Sequence, residues 1–352
     1  MRRSARHGLP SFRHAPWFSC LLLGLLHSLP ASAQPTAASV TRPASTTSAD
    51  TRPVEAREWL QRIRQAANQR SYQGTLVITG SGEVSSSRVS HIVEGSRRTE
   101  RIDALAGEAY SWMRQDGVTR VVWPHKQLVV EAPHDRQVLF PGLPEEADER
   151  LLAWYDLRPV GTDRIAGHDA VMLSVQPRDA WRFGFRLWVE RQSHLLLRID
   201  TLNAAGQALE STAFSDLTLD VRAPRNTADA KAWRHYRVIR PAHQDTQLTR
   251  EGWALRELPP GFREVSCNRR PLTPWGAGTA PAVLQVMFSD GLAHISLFID
   301  PVNGHAQQPE RPQPLGATHV VREQVDRHWV TAVGDVPPDT LRRFVTALER
   351  KQ

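Results

Sequence analysis

Fourteen histidines in 352 residues make metal binding the first chemistry to test. A zinc site needs ligands at set spacings, such as a His-Glu-x-x-His pair on one helix face or a tight His/Cys cluster. Neither occurs. His7, His14 and His27 lie in the N-terminal segment, and the other eleven fall singly at turns and strand ends, where an imidazole is ordinarily solvated. There is no Gly-x-Ser-x-Gly elbow and no phosphate-cradling glycine loop. Glu145-Glu146 reads as an exposed helix face rather than a catalytic acid pair. The sequence therefore names no catalytic residue, no metal ligand and no cofactor, which points to a binding protein rather than an enzyme. What remains is arginine: Arg97-Arg98, Arg101 and Arg114 in one stretch, and Arg263, Arg269 and Arg270 in another. A guanidinium pairs bidentately with phosphate or carboxylate, so the second group are candidate contacts for a partner or a lipid headgroup. The competing reading is a solvated strand face.

The compartment follows from the first residues. Arg2, Arg3, Arg6 and Arg13 precede a short apolar run, Trp17–Leu29, and Ala31-Ser32-Ala33 supplies small residues at a cleavage site. This is the pattern of a secretory signal peptide cleaved after Ala33, with an apolar run too short to span a bilayer. Export across the inner membrane into the periplasm is the expectation. The full chain carries 44 basic and 37 acidic side chains. Loss of the four signal arginines reduces the formal charge from +7 to +3. A near-neutral exported chain is no nucleic-acid binder. Cys267 would be the sole cysteine left, so no internal disulfide can form and burial alone must hold the fold. Its expected role is that of a small buried hydrophobe.

Residues 34–54, rich in Ala, Ser, Thr and Pro, read as a disordered leader. Glu55–Ala67 has helical periodicity, with Trp59, Ile63 and Ala66–Ala67 on one face. From Thr75 to Leu217 the chain reads as antiparallel strands separated by turn signals, of which Asp116-Gly117 is the best hairpin dipeptide. One helix, Glu145–Tyr155, interrupts them. More strands than about ten in one twisted sheet must curl. Trp181–Glu190 shows the clearest alternation. A period of two puts Trp181, Phe183, Phe185 and Leu187 on one face, as half-buried core or as the lining of an apolar cavity. Residues 222–245 read as a linker, with Arg234–Arg240 as a strand continuing into a second domain, 246–352. That domain should hold five strands and a final helix, Leu341–Arg350, whose Leu341, Phe344, Val345 and Leu348 share a face. Residues 55–221 form the first domain.

Near the C-terminal end stand Leu258-Pro259-Pro260-Gly261-Phe262, Glu264-Val265-Ser266, Arg270-Pro271-Leu272 and Ser289-Asp290-Gly291-Leu292. Upstream are Tyr155-Asp156, Arg164-Ile165-Ala166-Gly167, Leu187-Trp188-Val189-Glu190 and Leu197-Arg198-Ile199-Asp200. In this order the phrases resemble the RseB/MucB family of periplasmic sigma-factor regulators, from Glu55 to the C-terminus. Between Ser81 and Glu131 the likeness is weaker. The resemblance implies a β-rich α+β fold: a large unclosed antiparallel β-barrel, similar to the LolA/LolB lipoprotein carriers and wrapped around helices, plus a smaller C-terminal sheet-and-helix domain. It implies binding of the periplasmic domain of a single-pass anti-sigma factor, protection of that factor from proteolysis, and release by lipopolysaccharide or another acylated ligand. Homo-oligomerisation is left open. The alternatives are a lipid or lipoprotein carrier of LolA type and, remotely, an envelope hydrolase. A carrier would retain acyl chains on purification, whereas a regulator would retain a membrane protein.

Overall fold

Two sheets, each with its own apolar core, organise the chain in the computed structural model, which describes residues 52–133, 140, 149–222, 233–241, 243–271, 282–302 and 316–351. Helix α1 (Arg52–Gln69) comes first. Then follow β1 (Tyr72–Gly80), β2 (Glu83–Glu94), β3 (Arg97–Ala104), β4 (Ser111–Gln115), β5 (Val118–Trp123), β6 (Leu128–Pro133), β7 (Tyr155–Ile165), β8 (His168–Pro177), β9 (Gly184–Glu190), β10 (Leu196–Leu202), β11 (Ala208–Leu219) and β12 (Arg237–Ile239). These twelve strands form one sheet in the order β12-β6-β5-β4-β3-β2-β1-β11-β10-β9-β8-β7. Its two edges, β12 and β7, do not pair, so the barrel is unclosed, as the fold reading anticipated. The C-terminal elements are β13 (Gln244–Asp245), β14 (Trp253–Leu255), β15 (Arg263–Pro271), β16 (Ala282–Ser289), β17 (His294–Pro301), β18 (His319–Val325), β19 (His328–Gly334), α2 (Pro338–Ala347) and β20 (Leu348–Arg350). Six of them form a second sheet in the order β13-β15-β16-β17-β19-β18, while β14 pairs with β20.

The large sheet curls around α1. Ala56, Leu60, Ile63 and Ala66 recur at helical spacing and are buried, and the first three pack on Leu173, Val175, Phe185, Leu187 and Val189 of β8 and β9. Trp59, expected on that face, is only half-buried and meets His194 edge-on at 6.0 Å. A second cluster, with Tyr72, Leu76, Val89, Ile102, Trp112 and Phe214, lines the other half of the sheet, and Phe140 packs against both. Tight turns set the register. Asp116 and Gly117 both take positive φ, 52° and 75°, the geometry that lets a two-residue turn follow the twist of its flanking strands.

In the small unit α2 presents Leu341, Phe344 and Val345, all buried, to one face of the sheet, and Leu348 joins the same core. Phe344 lies 5.1 Å from Phe288 and 5.5 Å from Phe262, ring centre to ring centre. Among the described residues no helix is long and apolar enough to cross a membrane.

Several boundaries differ from the sequence reading. The final helix stops at Ala347, because Leu348 turns to extended backbone and Leu348–Arg350 pairs with Trp253–Leu255. The strand expected over Trp181–Glu190 begins only at Gly184. Asp179 Oδ1 accepts both the Trp181 N–H and the Arg182 Nε–H, which holds the preceding residues in a bend. The strand read over Arg234–Arg240 is shorter and belongs to the first sheet: Arg237–Ile239 pairs in parallel with β6, secured by Arg240 on Glu131. The helix expected over Glu145–Tyr155 is a 3-10 turn over Glu149–Ala153, and β7 begins at Tyr155. Residues 141–148 lie outside the described residues, as do the signal segment, most of the leader, residues 223–232 and the loop 303–315.

Phe344 is fully buried between the sheet and Phe262, so truncation leaves a void the core cannot close. Phe344→Ala should lower stability by about 3–5 kcal/mol, read as a shift of the urea midpoint at unchanged slope.

Candidate functional site

The two units meet where Arg182 enters the C-terminal one. Its side chain is fully buried, as is that of Asp290. Arg182 Nη1 donates to Asp290 Oδ2 at 2.8 Å, Nε to Asp179 Oδ1 at 2.9 Å, and Nη2 to the Pro260 carbonyl. Tyr155 donates its hydroxyl to the same Asp290 Oδ2 at 3.0 Å. Asp290 Oδ1 accepts the backbone N–H groups of Leu292 and Ala293, each at 2.9 Å. Every strong acceptor site of the carboxylate is thus directed at a donor, which is the condition for keeping an ion pair out of water. The guanidinium carbon lies 5.1 Å from the Phe262 ring centre, 5.3 Å from Trp154 and 5.6 Å from Tyr155, so three aromatic faces attract the same cation. Burial first, then the Asp290 charge, raises the Tyr155 hydroxyl well above the ordinary tyrosine range. It stays a donor at any physiological pH.

This geometry explains two of the phrases read from the sequence. Gly261 carries φ +88°, and a Cβ there would stand 2.6 Å from Trp154 Nε1. Only glycine permits both the left-handed backbone and the approach to the indole. The following Phe262 is the aromatic cap on Arg182. In Ser289-Asp290-Gly291-Leu292 the Ser289 hydroxyl accepts the Gly291 N–H at 3.0 Å, which holds the turn that aims Asp290 at Arg182. Leu292 packs against the apolar cluster beneath α1. Around this centre Thr340 Oγ1 donates to the Trp181 carbonyl at 2.9 Å, and Phe183 meets the His319 ring at 5.8 Å.

The candidate cavity residues separate. Trp181 and Phe183 flank the joint, while Phe185 and Leu187 lie in the core under α1. The arginine candidates separate too. Arg263 opens β15 beside Ser289 of β16. Arg269 and Arg270 lie six and seven residues farther along that strand, about 20 Å away at the rise of an extended chain. Arg269 is held by Glu251 (Nε to Oε2, 2.8 Å). The sequence reading missed Arg182, Asp290 and Tyr155 as a group. Alternation over Trp181–Glu190 puts Arg182 on the face opposite the aromatics, and the signal against that is the Asp179 bend immediately before it. Among the described residues no group of three or more His, Cys, Asp or Glu side chains is placed to hold a metal ion. Cys267 is buried, and its thiol is pushed up to about 12 by burial and by the nearby Glu264 and Glu251 charges, so it is a poor nucleophile. The cluster is a joint that fixes two units against each other.

Removing one partner leaves the other charge buried and alone. Arg182→Met and Asp290→Leu should each destabilise by about 3–5 kcal/mol, and the double variant by less than their sum. A denaturation double-mutant cycle checks this, and strict additivity would show that the two side chains are not coupled.

Comparison with known proteins gives two matched segments. The MucB/RseB N-terminal domain model matches residues 55–232 and the MucB/RseB C-terminal domain model residues 247–349. The sigma factor AlgU regulatory protein MucB of Pseudomonas aeruginosa is 34% identical over 305 residues, spanning 85% of this chain and 92% of that protein. The sigma-E factor regulatory protein RseB of Haemophilus influenzae is 23% identical over 292 residues, spanning 83% and 90%. A crystal structure of MucB in complex with MucA(peri) superposes with a TM-score of 0.65 at 33% identity, covering 84% of this chain and 99% of that one. With both models matched in order, and a relative similar along most of its length, the chain belongs to the MucB/RseB family.

Proposed function

We propose that this protein is a periplasmic regulator that restrains an envelope-stress sigma factor by holding the periplasmic domain of a single-pass anti-sigma factor. The observation that carries the reading is the joint itself. Its Pro260-Gly261-Phe262 and Ser289-Asp290-Gly291-Leu292 segments set the C-terminal domain against the N-terminal one in a fixed pose. The border between two rigid domains is a favoured place for a partner segment. MucB, a relative of known structure, has been seen in complex with MucA(peri). Arg263, beside the joint, is the first candidate contact for an acidic partner segment; Arg269 and Arg270 mark a second, separate surface. Binding rather than catalysis is the proposed role. Cleavage after Ala33 delivers the protein to the periplasm.

The release signal is proposed to be an acylated ligand such as lipopolysaccharide, taken up by the apolar interior of the large sheet. That ligand and the partner would then oppose each other through one coupling factor, acting equally in both directions.

The test is calorimetric titration of full-length protein with the cognate anti-sigma periplasmic domain, alone and after saturation with purified lipopolysaccharide. Binding of the anti-sigma domain is expected, and weakening by lipopolysaccharide of at least fivefold, the lower range of ordinary coupling. Failure to bind the anti-sigma domain at all would remove the proposed function. Intact binding with no effect of lipopolysaccharide would remove only the release signal.

A further inference from the structure

A second contact joins the two domains, away from Arg182. Glu210 on β11 pairs with Gly80 on β1, and Gly80 with Glu83 on β2, so these residues form one row at the end of the large sheet. The segment entering β18 lies against that end. Gly316 donates its N–H to Ser81 Oγ at 2.7 Å, and Ala317 donates to Glu210 Oε2 at 3.5 Å. The fit is close: a Cβ on Gly316 would stand 2.3 Å from Glu210 Oε2, and one on Gly80 2.9 Å from Gly316 Cα. A carboxyl group is thus seated in the border between domains with one long N–H contact.

The groups around it are of the wrong sign to hold a carboxylate. Asp335, just beyond β19, contributes a second negative charge; its Oδ1 accepts the Thr318 hydroxyl at 2.5 Å and its N–H donates to the His294 carbonyl. His319 is turned to the Ala317 carbonyl through Nδ1 at 3.0 Å. Glu83, in the same strand row, is exposed. No cation is among the groups acting on Glu210. Burial first, then the Asp335 charge, pushes its carboxyl up to about 7, against the weak opposing pull of the Ala317 N–H.

We propose that Glu210 is a proton-binding site in the domain border, and that its protonation tightens the seating of the C-terminal domain on the N-terminal one. An unseated Glu210 faces water and titrates as an ordinary glutamate, near 4.3. The seated form binds its proton up to about 7. Above that pH, seating carries the full cost of a partly buried, repelled charge. As pH falls through 7 the cost fades, and below the ordinary glutamate value it is gone, because both forms are protonated. Acid therefore closes the border, by up to about tenfold in the seating equilibrium per pH unit inside that window.

The test is amide hydrogen exchange at residues 80–82 and 316–318 of the full-length protein between pH 5 and 8, corrected for the intrinsic pH dependence of exchange. In the wild type, protection should rise as pH falls through 7. Glu210→Gln, which copies the neutral acid, should hold the high protection at every pH. Asp335→Asn should move the wild-type curve to lower pH without flattening it. A carboxyl chemical-shift titration of Glu210 should give a midpoint near 7. A flat wild-type profile, a Gln variant that keeps the wild-type slope, or a Glu210 midpoint in the ordinary glutamate range would each overturn the proposal.

Discussion

The buried pair between Arg182 and Asp290 is the constraint on which the arrangement of this molecule depends. Taking two charges out of water costs several kcal/mol for each ion, and their mutual attraction does not recover that alone. Here the remainder comes from saturation. Asp290 accepts from Arg182, from Tyr155 and from two backbone amides, while Arg182 also reaches Asp179 and the Pro260 carbonyl. Such a cluster adds little net stability over a well-packed apolar patch. It does specify one pose, because any sliding of one domain past the other strands a charge.

The rest of the joint is arranged around that requirement. Gly261 has no side chain because the Trp154 indole occupies the space. Phe262 serves two cores at once, capping Arg182 on one side and meeting Phe344 of α2 edge-on at the other. Thr340, at the start of α2, reaches the Trp181 carbonyl. The helix, the Pro-Pro-Gly-Phe turn and the Ser-Asp-Gly turn thus connect the C-terminal core directly to the charge pair. With Cys267 buried as a thiol, no disulfide reinforces this connection, and packing with hydrogen bonding must supply it.

The large sheet solves a similar problem inside its own curl. Tyr72, His91, Glu100 and Arg114 are neighbours on four successive strands and form one polar row. The Arg70 carbonyl accepts from His91 Nδ1 at 2.8 Å, which turns Nε2 toward Glu100 Oε1, 3.8 Å away. Burial is the largest influence on His91 and holds it below the ordinary histidine range, so Arg114 supplies the cation that answers Glu100. Next to this row lie Leu76, Val89, Ile102 and Trp112. The polar row thus sits at the margin of an apolar core, with each charge answered inside the sheet.

Local pattern was enough to determine most of the elements. Strict alternation marks strands because side chains on an extended chain point to opposite faces, and the alternating run over Trp181–Glu190 is a strand from Gly184 onward. The dipeptide Asp116-Gly117 names its turn because few residues tolerate two positive φ values in succession. Leu341, Phe344, Val345 and Leu348 announce a buried face by spacing alone. Family phrases such as Pro-Pro-Gly-Phe could be recognised without knowing what they touch. The tertiary structure alone decided the site. Arg182 reads as a solvent residue by periodicity, and only the approach of Asp290, 108 positions along the chain, makes burial of its charge tolerable. Leu348–Arg350 reads as helix until Trp253–Leu255 offers a strand to pair with. Glu210 is an ordinary strand glutamate until Ala317 and Asp335 close over it. Backbone preference acts between neighbours in sequence, whereas charge burial is set by whatever the folded chain brings alongside.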